Sequence, residues 1–170
     1  MDCLAWAGGW TPTSSSTATP CLSEPDVMSE PTEILRGSCL CGDIAYEVWS
    51  PFLRFAHCHC SRCRKATGTG HATNLYCSPD RFRWIKGEKL IERYDLPVAR
   101  SFAAVVCRMC GSPLPRLTRS GSELVVPAGS LDGEPSVRPN ARIFWGSRAS
   151  WSCEDDVLPR YDGLPDWWRR

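Results

Sequence analysis

From Ile34 onward, apolar and β-branched residues recur in short alternating runs separated by turn formers. Ile44, Tyr46 and Val48 alternate with Ala45, Glu47 and Trp49, the pattern of a strand with one buried face. Comparable runs over 73–76, 82–85, 90–94, 101–106, 123–126 and 142–145 predict further strands. Gly42-Asp43, Lys86-Gly87-Glu88, Ser120-Gly121-Ser122 and Asp132-Gly133 mark the turns between them. No window of a dozen residues carries an apolar stripe of helical period, so helices are expected to be short and few. The fold class is all-β, built from closely spaced strands in antiparallel sheets.

The pattern is absent from residues 1–33, which are rich in Ser, Thr and Pro and read as a disordered extension. Residues 34–165 form the expected domain, and residues 166–170 a C-terminal tail. The stretch from Ala149, with Trp151, Tyr161, Trp167 and Trp168 among Pro and Asp, is expected to cover the core. With 42% hydrophobic residues and eight Trp in 170, the chain holds enough apolar surface for an ordinary core. Neither a secretory leader nor an apolar run long enough for a bilayer is legible, so a cytoplasmic protein without a membrane partner is expected. Twenty Lys plus Arg against nineteen Asp plus Glu, scattered along the chain, argue against nucleic acid as a partner.

Cysteine changes this picture. Seven of the eleven fall into Cys39-x-Cys41, Cys58-x-Cys60-x2-Cys63 and Cys107-x2-Cys110. In a reducing compartment such spacings indicate thiolates on zinc rather than disulfides, and Cys-x-Cys pairs suit bridge geometry poorly. Seven ligands are one short of two tetrahedral sites, which divides them into a closed site and an open one. On an extended strand Cys39 and Cys41 would face the same side, and Cys107 to Cys110 is a knuckle turn that adds two more sulfurs. Gly42 and Gly111 follow these pairs and allow a tight backbone. These four cysteines make the expected structural zinc site.

Cys58, Cys60 and Cys63 place three sulfurs within six residues and leave one face of a metal open. Three thiolates weaken zinc as a Lewis acid and suit it to a soft fourth ligand such as another thiolate. The alternative is a second structural site completed by His57, His59, His71 or Cys77. His57 and His59 should face away from the sulfurs if their segment is extended, whereas His71 could return toward the metal after the Gly68-Thr69-Gly70 turn. Arg62, Arg64 and Lys65 give the open cluster a basic rim that could hold a carboxylate, or a merely solvated face. Cys3, Cys21, Cys77 and Cys153 read as free thiols, the last two buried.

The segments Arg36-Gly37-Ser38-Cys39-Leu40-Cys41-Gly42, His57-Cys58-His59-Cys60-Ser61-Arg62-Cys63-Arg64-Lys65-Ala66-Thr67-Gly68 and Cys107-Arg108-Met109-Cys110-Gly111-Ser112-Pro113-Leu114 occur in a familiar order. With Pro127-Ala128-Gly129-Ser130-Leu131-Asp132 and Ile143-Phe144-Trp145-Gly146-Ser147, near Trp151, they make residues 34–165 resemble the glutathione-dependent formaldehyde-activating enzyme family, which also includes centromere protein V. The resemblance implies an Mss4-like (β-tent) fold with two Zn2+ per chain, one on Cys39, Cys41, Cys107 and Cys110 and one on Cys58, Cys60 and Cys63. It also implies a carbon–sulfur lyase-type reaction in which glutathione, as co-substrate, adds to formaldehyde to give S-(hydroxymethyl)glutathione. The partners would be a small-molecule thiol and aldehyde, with Arg64 or Lys65 on the thiol's carboxylates. A binding module that holds two zincs without turnover is the alternative. Family members begin close to the first core strand, so Met28, followed by Ser-Glu-Pro-Thr-Glu, is expected to be the true start.

Overall fold

The computed structural model describes residues 33–152, 158–165 and 168. The expected extension over 1–33 lies outside these apart from Glu33, as do Cys3, Cys21, Cys153 and Trp167.

Ten strands and one α-helix are described, and the fold is all-β. The strands are β1 Ile34–Ser38, β2 Ala45–Trp49, β3 Phe52–Cys58, β4 Ala72–Cys77, β5 Phe82–Lys86, β6 Ile91–Asp95, β7 Ala103–Cys107, β8 Arg116–Leu117, β9 Leu124–Pro127 and β10 Ala141–Ile143, with helix α1 at Ser61–Thr67. They form three sheets in the orders β1-β2-β5, β10-β3-β4-β9-β8 and β6-β7. All pairings are antiparallel except β10 with β3, a three-residue parallel addition at the sheet edge. No helix among the described residues is long and apolar enough to cross a membrane.

Strand alternation separates the two faces of the five-stranded sheet. Phe55, Leu75 and Val126 lie opposite one another, and with Leu124 and Cys77 they join Tyr46, Val48 and Leu35 in the main core. The other face carries successive rows: Cys58 with Ala72, then Ala56 with Asn74 and Pro127, then Arg54 with Tyr76, Val125 and Arg116. One face therefore builds the core, and the other is free to build a site.

At Gly37 the sheet of β1 and β2 meets the turn that follows β9. A Cβ there would collide with the Tyr46 ring and the Ser130 carbonyl, and the Tyr46 hydroxyl lies 2.7 Å from Ser130 Oγ. Ile44, Val105, Leu114, Cys39 and Cys107 form a second, smaller core. The aromatic C-terminal stretch differs from expectation. Trp151, Tyr161 and Trp168 are exposed and do not cover the core, because β1, β2, β5 and β9 already enclose it with their own side chains.

Candidate metal centres and the adjoining cavity

The first group forms where two turns meet. Cys39 follows β1, and Cys41 sits in the turn before β2 rather than on an extended strand. Hydrogen bonds close that turn: Gly42 N–H donates to the Cys39 carbonyl at 2.8 Å, and Cys39 N–H to the Ile44 carbonyl at 3.1 Å. The knuckle after β7 is closed likewise, with Gly111 N–H on the Cys107 carbonyl at 2.8 Å. Gly42 and Gly111 both take left-handed backbone, at φ of 76° and 73°, which a side chain would strain. Leu40 N–H donates to Ser112 Oγ at 2.9 Å and ties one turn to the other.

The sulfurs of Cys39, Cys41, Cys107 and Cys110 all lie within 4.8 Å of one another. Cys39 and Cys41 are 3.4 Å apart, and Cys41 and Cys107 are 3.8 Å apart. Four sulfurs about 2.3 Å from a tetrahedral zinc would stand about 3.8 Å apart, so spacing and donor type both fit that ion. Hydrogen bonds from the Ser112 hydroxyl, then from backbone amides, hold the Cys110 thiol down at about 5.

The second group straddles a strand-to-helix corner. Cys58 ends β3, Cys60 caps α1, and Cys63 lies in its first turn. The Cys60 sulfur accepts from Cys63 N–H, as an N-cap oxygen would. At the other end Gly68, in left-handed backbone, donates its N–H to the Arg64 carbonyl. The three sulfurs also lie within 4.8 Å of one another, and no fourth His, Cys, Asp or Glu joins them among the described residues. The Cys63 thiol hydrogen bond holds Cys58 down at about 6, and the same contact holds Cys63 up.

Cys77 does not approach either group. It is fully buried in the main core, where burial pushes its thiol up to about 11. The three histidines assemble beside the second group without entering it. His71 packs against His57 and His59 with ring centroids 4.4 and 5.1 Å apart, and His59 meets Trp145 edge-on at 4.8 Å. His57 Nδ1 lies 2.9 Å from Thr73 Oγ1.

Beside Cys63 lies a cavity of about 480 Å³, within the range usual for small-molecule sites. Its wall includes Thr67, His71, Ala72, Asn74, Phe102 and Arg116. Arg62, Arg64 and Lys65 ride on α1 and are not part of this wall, so the guanidinium that reaches the cavity is that of Arg116. Burial lowers the basicity of Arg116, opposed by the neighbouring Cys63, Tyr76 and Cys58. The guanidinium nevertheless stays protonated. Asn74 is 2% exposed, and its Nδ2 has no hydrogen-bond partner among the described residues. Sequence reasoning missed both. The available signal was a charged residue inside the apolar run Leu114-Pro115-Arg116-Leu117, directly after the knuckle.

The family model described as glutathione-dependent formaldehyde-activating enzyme matches residues 34–147. The chain belongs to this family. A Halomonas elongata protein that carries the provisional name of glutathione-dependent formaldehyde-activating enzyme is 34% identical over 118 residues, covering 65% of this chain and 73% of its own. A crystal structure of a Rhodobacter sphaeroides protein, 24% identical, aligns with a TM-score of 0.50 over 63% of this chain and 98% of its own. That likeness bears on the fold alone and agrees with the compact all-β architecture.

Proposed function

We propose that this chain is a zinc-dependent, carbon–sulfur lyase-type enzyme that adds a thiol such as glutathione to a small aldehyde, giving S-(hydroxymethyl)glutathione from formaldehyde. The observation that carries this reading is a group of three thiols, without a fourth protein donor among the described residues, that borders on a cavity through Cys63. Family membership and the Halomonas relative support glutathione and formaldehyde as the chemical classes. In this reading Cys39, Cys41, Cys107 and Cys110 hold a structural zinc, and Cys58, Cys60 and Cys63 hold a second one.

Zinc on three thiolates supplies a soft acceptor position and lowers the pKa of a thiol that takes it. The protein's own part is positional. Cys58, Cys60 and Cys63 are fixed by the end of β3 and the capped first turn of α1, so their three sulfurs hold one geometry. The apolar wall of Ala72 and Phe102 excludes water around the substrate sulfur, and confinement keeps the aldehyde carbon beside it. In the addition an S–C bond forms, the C=O π bond breaks, and the proton leaving the thiol ends on the carbonyl oxygen. No oxidant or reductant is consumed.

The test is exchange NMR of glutathione with formaldehyde, comparing zinc-loaded wild type with Cys60→Ser, since the adduct also forms without catalyst. Faster exchange with wild type alone is the expected result. Equal rates would instead favour a two-zinc module that binds without turnover.

A further inference from the structure

We propose that Arg116, together with Asn74 on the same cavity wall, selects thiols that carry a carboxylate by binding that group in the cavity beside Cys63. The inference rests on the thiol reading above and adds the class of substrate that fits.

The sheet register supplies the geometry. Cys58 and Ala72 share a row of the site-forming face, Asn74 lies in the next row, and Arg116 lies in the row beyond, at the β8 edge. Rows on one face are spaced about 7 Å along the strand. The backbone of Arg116 is therefore two rows from that of Cys58, while its long side chain stays within electrostatic reach of Cys58 and Cys63, so that one small ligand can meet both the cation and the thiol group. Cys63, Asn74 and Arg116 all line the same cavity.

The chemistry supplies the ligand class. A half-buried guanidinium is costly to desolvate unless an anion meets it, and no carboxylate forms an ion pair with Arg116 among the described residues. Four other strand arginines are paired: Arg36 and Arg83 on Glu47, Arg54 on Glu123 and Arg93 on Asp95. Asn74 adds a buried amide donor without a partner among the described residues, and a buried donor left unmade is destabilising. A carboxylate has two acceptor oxygens, one pair for the guanidinium fork and capacity left for the amide. The competing explanation is that Arg116 only balances the charge of the Cys58 and Cys63 thiolates, to which it is electrostatically coupled. The two roles differ in what they do to metal retention and to neutral thiols.

Calorimetric titration of zinc-loaded protein with glutathione and with glutathione diethyl ester separates them, with zinc content measured alongside. The wild type should bind glutathione about ten- to a hundredfold more tightly than the diester, the range expected for a charge-assisted contact. Arg116→Gln should lower glutathione affinity to the diester level while diester affinity and zinc content stay unchanged, and Arg116→Lys should keep part of the preference. Equal weakening of both thiols, or loss of zinc from Arg116→Gln, would overturn the proposal in favour of charge balance. Equal binding of both thiols by wild type would overturn it while leaving the thiol reading intact, whatever the variants do. Binding of neither would overturn both.

Discussion

Glu47 is a carboxylate at the centre of a charged row, opposite Arg36 on β1 and Arg83 on β5. It accepts from Arg36 Nε at 3.1 Å and from Arg83 Nε and Nη2 at 2.9 and 2.6 Å. The Arg83 hydrogen bonds, ahead of those from Arg36, hold its pKa below the ordinary range. A depressed carboxylate contributes stability that is fully present above the unfolded value of about 4.3 and is lost as pH falls through the folded value. Glu47→Gln should therefore lower the melting temperature at pH 7, and the gap from wild type should narrow as pH drops from 5 to below 4. A gap independent of pH in melts of the two proteins would contradict that. At this scale cysteine spacing was the readable part of the site, because ligand spacing is local in sequence. Arg116 was not readable, because its approach to Cys63 depends on β8 joining β9 at the far edge of the sheet.

Turns, more than strands, carry the expected metal chemistry. The alternating runs beginning near 44, 73, 82, 90, 101 and 123 all contain strands: β2, β4, β7 and β9 carry buried side chains, whereas β5 and β6 are half-buried to exposed and are held by pairing with β2 and β7. Phe52–Cys58 was not legible as a strand, since Arg54 and His57 interrupt its apolar pattern while the backbone still pairs with β4. Ser61–Thr67 was not legible as a helix, since seven residues are too few to show a helical stripe. Its only local signals were the cap at Cys60 and Gly68 at the other end. The Cys39–Gly42 turn and the Cys107–Gly111 knuckle join β1 and β2 to β7 across 66 residues. Cys41→Ser or Cys110→Ser should thus cost on the order of 3 kcal/mol, about a quarter of what a structural zinc contributes. Thermal melts should show a fall on the order of 10 °C for either variant and little change for Cys60→Ser. Wild-type melting of the Cys41 and Cys110 variants, or global unfolding of Cys60→Ser, would contradict the division of labour.

In the whole molecule, one sheet serves both purposes: its inner face closes the core with Phe55, Leu75 and Val126, and its outer face carries Cys58, Asn74 and Arg116, the last two lining the cavity beside Cys63. That arrangement lets an all-β fold, with one short α-helix among the described residues, present a three-thiol group at the end of a sheet strand. The most direct measurement is a cobalt titration of metal-free protein followed by glutathione, read by visible absorption. Two Co2+ should bind per chain, and glutathione should change the spectrum of one of them, with no change in Cys60→Ser. Two bound ions whose spectra ignore glutathione would contradict an open, thiol-accepting centre at Cys58, Cys60 and Cys63.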